Sequence, residues 1–350
     1  MSWWSAARDK ETEMRNRLSV TQALAAMMIV AWVVPAVGQA PASRIEPKTR
    51  GGTKTWTPPR TPWGHPDLQG LWDNGTPTPL ERPDNLAGRE FLSETEWAAI
   101  AEEVSTRADR RPANAAADVA LAYNNEWYDR GAPLKRTSLI VDPPSGKLPP
   151  LTPEGQRRAA AREAARAGRG PADSWEDRSL QERCLLYHSV PPFPTGYNNN
   201  YHIVQTPDYV AIRYEMLAET RFIPLDGRPH LGPNLRQWMG SSRGRWDGNT
   251  LVVETTGYSD KTIFRFPASD ALRVVERFTR TAEGAIDYAF TVHDPATYTR
   301  PWTAVLPMAR SNGPIYEYAC HEGNYGMTNL LVGHRADEKA AAEAAKKGSR

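Results

Sequence analysis

The chain has two cysteines in 350 residues, Cys184 and Cys320, too few for a disulfide-knitted scaffold or a four-cysteine zinc site. Its main apolar run, residues 23–37, falls short of the roughly 20 residues needed to span a bilayer. Neither charge sign is in excess, with 43 Lys and Arg against 41 Asp and Glu. That near-balance speaks against a nucleic-acid partner, which calls for a basic face. There is no Gly-x-Ser-x-Gly elbow, phosphate loop, dinucleotide fingerprint, His-Glu-x-x-His helix or Cys-x-x-Cys-His haem site. Nucleotide-dependent, haem and zincin chemistry are therefore not expected, and no metal site is read from the sequence; the cofactor is left open. No internal repeat of fixed period is visible.

What is present begins with a leader. After Met14, an alternative start to Met1, come Arg15 and Arg17, the apolar run, and Ala40-Pro41-Ala42 before Ser43. A basic stretch, a short apolar core and small residues at minus three and minus one describe a secretory signal over residues 1–42. Cleavage after Ala40 and retention as an anchor are the competing readings. The expected location is periplasmic or secreted, with no stable membrane insertion once the signal is gone. In such an oxidising compartment Cys184 and Cys320, which frame the β-rich region, are expected to pair. Closing a loop of that length stabilises by roughly 4 to 5 kcal/mol in the chain-entropy model.

Thirty prolines and 25 glycines imply many turns. Residues 43–150 read as a proline-rich arm with one helix, opened by a capping box of Ser93 and Glu96 and carrying Trp97, Ile100, Ala101 and Val104 at helical spacing. Trp56, Trp63, Leu68, Leu71 and Trp72 are too apolar to leave in water, so the arm is expected to pack on the β domain. Residues 151–180 form a second helix and a linker, with Thr152 as cap and Pro153 in the first helical position. From residue 201 the period becomes two, and residues 181–335 read as an antiparallel β domain. The runs fall between 201 and 321, from 201–206 and 209–215 through the clearest pair, 272–281 and 285–293, to a last strand at 315–321. With short turns and no crossover helices, the fold class is mainly β, an antiparallel barrel-like or sandwich domain of seven to eight strands. Residues 336–350 read as a disordered or frayed tail.

Polar residues at strand ends are the candidate site. His230 on the turn Gly227-Arg228-Pro229 could act as a base, with Asp226 and Arg228 to orient it or hold an anion. Glu254, the candidate acid or orienting group, shares a strand face with Thr250, Val252 and Thr256, opposite Leu251 and Val253, and faces either solvent or a barrel interior. The run Cys320-His321-Glu322-Gly323-Asn324 offers His321 and Glu322 as acid or base, with Asn324 and Trp246 as ligand contacts. The competing reading is structural, polar groups that satisfy the backbone where a strand ends.

Residues 61–70 (TPWGHPDLQG), 136–144 (RTSLIVDPP), 223–230 (IPLDGRPH), 245–255 (RWDGNTLVVET) and 318–325 (YACHEGNY) together resemble a family of uncharacterised exported proteins widespread in soil bacteria. The resemblance covers nearly all of the mature chain and implies one integrated domain containing both arm and β region. It brings no activity, and its recurring polar positions match Asp226, Arg228, His230, Glu254, His321, Glu322 and Asn324. The expected function is a pocket protein for a small organic ligand, with acid–base chemistry of the lyase, isomerase or hydrolase kind. The alternative is a non-catalytic envelope or carbohydrate-binding protein using the nine tryptophans left after cleavage and its 13 tyrosines.

Overall fold

Alternation of apolar and polar residues becomes a curved wall. The structure, a computed structural model, describes residues 56–107, 131–262 and 264–348. Eleven strands run in chain order as β1 (Gly70–Asp73), β2 (Ile140–Asp142), β3 (Asn200–Gln205), β4 (Tyr209–Tyr214), β5 (Thr220–Pro224), β6 (Ser241–Asp247), β7 (Thr250–Thr256), β8 (Arg273–Ala282), β9 (Ala285–His293), β10 (Trp302–Val305) and β11 (Met308–Arg310). Tyr201, Ile203, Val210, Ile212 and Tyr214 of β3 and β4 point inward, as do Ile286, Tyr288, Phe290 and Val292 of β9. Their chain neighbours point out, as period two requires.

Nine strands form one hydrogen-bonded path, β5-β4-β3-β1-β11-β9-β8-β7-β6, in which every neighbouring pair is antiparallel. Strand β10 pairs with β9 and β2 off this path. An alternating path with an odd number of strands has its first and last members running the same way. Closing β5 on β6 would therefore need a parallel ladder, whose slanted bonds do not continue the antiparallel pattern. The barrel is nearly closed instead. Across the seam Arg221 Nε donates to Ser242 Oγ at 2.9 Å. A Cβ at Gly244 would meet Ile223 and Leu225 side chains at 2.7 Å, so glycine is what lets β6 come so near.

The arm is more intimate with the barrel than a covering layer. Strand β1 lies inside the wall between β3 and β11, and its Trp72 is fully buried, donating from Nε1 to Leu68 O at 2.8 Å. Four residues are too few to display period two, which is why the strand is hidden in the sequence. Trp63 is half-buried, whereas Trp56 stays 39% exposed. The expected last strand, residues 315–321, is not a strand. The short β11 takes the place beside β9 and β1, and residues 315–321 run irregularly with Tyr316 exposed.

Three α-helices occur among the described residues: α1 (Glu94–Arg107), α2 (Pro153–Arg166) and α3 (Gly326–Gly348). The capping box of α1 is formed, with Ser93 N donating to Glu96 Oε2 at 2.9 Å and Glu96 N to Ser93 Oγ at 3.3 Å. Thr152 caps α2 by accepting from Gly155 N at 3.0 Å, with Pro153 in the first turn. Helix α3 includes residues 336–348 of the expected frayed tail and buries no residue. The Cys184–Cys320 disulfide is present, with its Cα atoms 5.8 Å apart. It fits an oxidising compartment. No helix among the described residues is long and apolar enough to cross a membrane. The expected signal, residues 1–42, lies outside the described residues, as do 43–55 and 108–130 of the arm.

Candidate functional site

The seam between β5 and β6 opens into a cleft of about 320 Å³. Phe222, Pro224, Leu231 and Met239 give it apolar walls, and Gln237, Ser241, Ser242 and Arg243 supply polar groups. His230 stands at its edge. The loop between β5 and β6 carries this histidine back over β6, where Nδ1 lies 2.9 Å from Ser241 O. Its Nε2 is 3.3 Å from Glu254 Oε1 on β7, and the other oxygen of Glu254 accepts from Arg273 of β8 at 2.8 Å. Two of the three candidate groups, 226–230 and Glu254, thus meet. Burial alone would raise the Glu254 carboxyl; the hydrogen bond and charge of Arg273, with His230 alongside, outweigh it and hold the carboxyl below its ordinary value. Arg273 is paired across the ladder with His293, which is pushed below the usual histidine range by burial first and the Arg273 charge second. Asp226 and Arg228 pair with each other on the exposed turn, and Arg228 also reaches Tyr209 Oη at 3.0 Å.

Parity settles where Glu254 points. Leu251, Val253 and Thr255 are buried inside the wall, so Glu254 faces outward. The titratable groups inside are ones the sequence reading passed over. Glu276 on β8 is fully buried and forms a two-pronged ion pair with Arg221 of β5; Arg221 Nη1 to Glu276 Oε1 is 3.0 Å. Tyr288 Oη donates to Glu276 at 3.0 Å, and Ser242 and Thr255 bond each other at 2.9 Å beside the guanidinium. Burial would depress the Arg221 charge, but the carboxylate more than offsets it and keeps the group cationic. Burial also pushes the Tyr214 hydroxyl up to about 12. A signal existed in the sequence: Val274, Glu276, Phe278 and Arg280 share one strand face, and a charge in an apolar row needs a buried partner. Its partner, Arg221, lies 55 positions away and could not be named from spacing.

A second polar group gathers where β1, β3, β4 and β5 end. His188 is 3% exposed and stacks on Tyr214, with centroids 5.3 Å apart and planes at 24°. Its Nδ1 lies 3.5 Å from Glu219 Oε2, too long for a hydrogen bond. Among the described residues the Tyr201 and Tyr214 hydroxyls and both Asn74 amide atoms likewise make no hydrogen bond of good geometry.

The third candidate group does not join His230 and Glu254 by any hydrogen bond or ion pair among the described residues. His321 and Glu322 are exposed on a turn after the disulfide. Asn324 spends its side chain on the backbone, donating to Cys320 O at 2.8 Å and accepting from Gly326 N at 3.0 Å where α3 begins. Beside it lies an open cleft of about 420 Å³, lined by Tyr197, Asn198, Glu317, Tyr318 and Asn324. Trp246, expected as a ligand contact, packs against the core with its ring 5.3 Å from His65. No family model, curated protein or solved structure matches the chain.

Proposed function

We propose that the protein binds a small organic molecule in the seam cleft between β5 and β6, and that it does so outside the cytoplasm as a member of the exported family its motifs resemble. The observation that carries the reading is the lining: apolar walls with a few polar groups, in a volume at the lower end of ligand pockets, about 300 to 1,000 Å³. The unpaired edges of β5 and β6 add backbone donors and acceptors along the same cleft. His230 and Glu254 are in place to fix a polar end of the ligand at the rim. Acid–base chemistry at this place would run through His230 as base, with Glu254 as its ionised orienting partner rather than as an acid.

A second reading, a carbohydrate-binding surface, is favoured by the open tyrosine-lined cleft at the disulfide. A ligand-observed NMR screen of small acids, amides and sugars separates the two. Hits that vanish in Gln237→Trp, which fills the seam cleft from an exposed position, and persist in Tyr318→Ala support the seam. The opposite pattern moves the function to the tyrosine cleft. Loss of binding in His230→Ala with an unchanged melting temperature places that ring on the ligand; turnover of a hit, lost in the same variant, identifies an enzyme.

A further inference from the structure

Helix α3 buries no residue. Met327, Leu330, Leu331 and His334 make a half-buried stripe along it, one helical face by their spacing. A 23-residue helix with so shallow a stripe needs further ties to the body, because packing rather than propensity holds most helices in place. One tie is the disulfide just before it. Another is Arg335, whose Nη2 donates to Ala172 O at 2.6 Å and Asp173 O at 2.8 Å.

A third feature lies at the same junction. His334 and Glu338, one turn apart on α3, face Asp173 of the loop that follows α2, and one ligand atom from each lies within 4.8 Å of the others. Among the described residues no other trio of His, Cys, Asp or Glu does this. His334 Nε2 is 3.5 Å from Asp173 Oδ1 and 3.4 Å from Glu338 Oε1. Both separations exceed those of good hydrogen bonds, about 2.7 to 3.2 Å. They match the edge of a tetrahedron drawn around a zinc ion with ligand bonds of about 2.0 to 2.1 Å, roughly 3.4 Å.

The carboxylates are held from behind. Asp173 Oδ2 accepts from Gly170 N at 2.7 Å, leaving Oδ1 toward the imidazole, and a Cβ at Gly170 would sit 2.6 Å from that oxygen. Glu338 is steadied by Arg335 Nη1 at 2.7 and 2.9 Å. Its positive charge leaves the trio one net negative charge with a neutral imidazole, still favourable for a dication.

We propose that Asp173, His334 and Glu338 form a surface site for a divalent transition ion, zinc by its geometry, that staples α3 to the loop around Asp173. One imidazole with two carboxylates suits such an ion better than calcium or magnesium, which take oxygen ligands alone. The open side of the trio leaves a fourth position for water.

The test titrates the full chain, stripped with chelator, with Zn²⁺ by calorimetry. One ion per chain is expected, with binding lost in His334→Ala and at least ~10-fold weaker in Asp173→Asn. Zn²⁺ should also slow hydrogen exchange within 326–348 in the parent but not in His334→Ala. The substituted side chains are part-exposed, and circular dichroism checks that the variants keep their fold. No binding at ~100 µM ion, equal binding by both variants, or equal affinity for Ca²⁺ would overturn the site. Binding without slower exchange in 326–348 would overturn the staple.

Discussion

Glu254 and Glu276 sit on adjacent strands of one wall, a single register step apart, since Glu254 pairs with Val275 and Val253 with Glu276. They live in opposite surroundings. Glu254 looks outward, 40% exposed, and shares its charge with Arg273 and His230 at the seam. Glu276 looks inward, has no exposed surface, and answers a single guanidinium with help from Tyr288. Outside the wall an ion pair competes with water and contributes little; inside, each charge depends on the other because nothing else replaces its hydration. The same residue type is therefore adjustable on one face, which is open to solvent, and fixed on the other, where it ties β8 to β5 across the barrel.

Breaking the inner pair should have the largest effect. Glu276→Gln leaves Arg221 charged and buried, and the expected loss is about 3 to 5 kcal/mol in urea unfolding. The double variant Arg221→Met with Glu276→Leu sharpens this, because an apolar pair of similar volume should recover most of the loss. If the double variant is as damaged as the single one, the surrounding Ser242, Thr255 and Tyr288 hydroxyls, rather than the pair, carry the stability.

Next comes the covalent tie outside the wall. Reducing Cys184–Cys320, which spans 136 positions, should lower stability by about 2 to 4 kcal/mol, less than the full chain-entropy value because α3 and the irregular segment stay loosely packed. A melting temperature indifferent to reductant would mean that this junction is already held by other contacts.

The smallest effect belongs to the outer carboxylate. Glu254→Gln should cost below about 1 kcal/mol at neutral pH. Its folded carboxyl titrates below the ordinary value, so the pairing adds stability above the usual carboxylate range and loses it as pH falls through the folded value. Parent and variant should converge in acid, read as melting temperature against pH. A loss as large as that of Glu276→Gln would remove the contrast between the two faces.

Much of the wall was legible in residues 201–293, where long alternating runs and Pro-Asp or Asp-Gly turns mark paired strands. Both helix caps could be read, because a cap is a local hydrogen bond between residues three apart. His230 and Glu254 were both legible as polar candidates, but their meeting was not, because the loop that carries His230 back over β6 has no local signal. Strand β1 and β11 escaped, being too short to show a period, and residues 315–321 misled because tyrosines at alternate positions imitate a strand.

The sequence by itself determined the mainly antiparallel β class, the helix starts and the pair of cysteines able to bridge, since all three depend on neighbours in the chain or on the count of a rare residue. The tertiary structure alone decided that the path has nine strands and so ends in two parallel edges, that Glu276 rather than Glu254 lies inside, and that Asp173 meets α3. Those outcomes depend on which strands become neighbours, and burial, which fixes the strength of every charge pair, follows only once the wall has curved round to its seam.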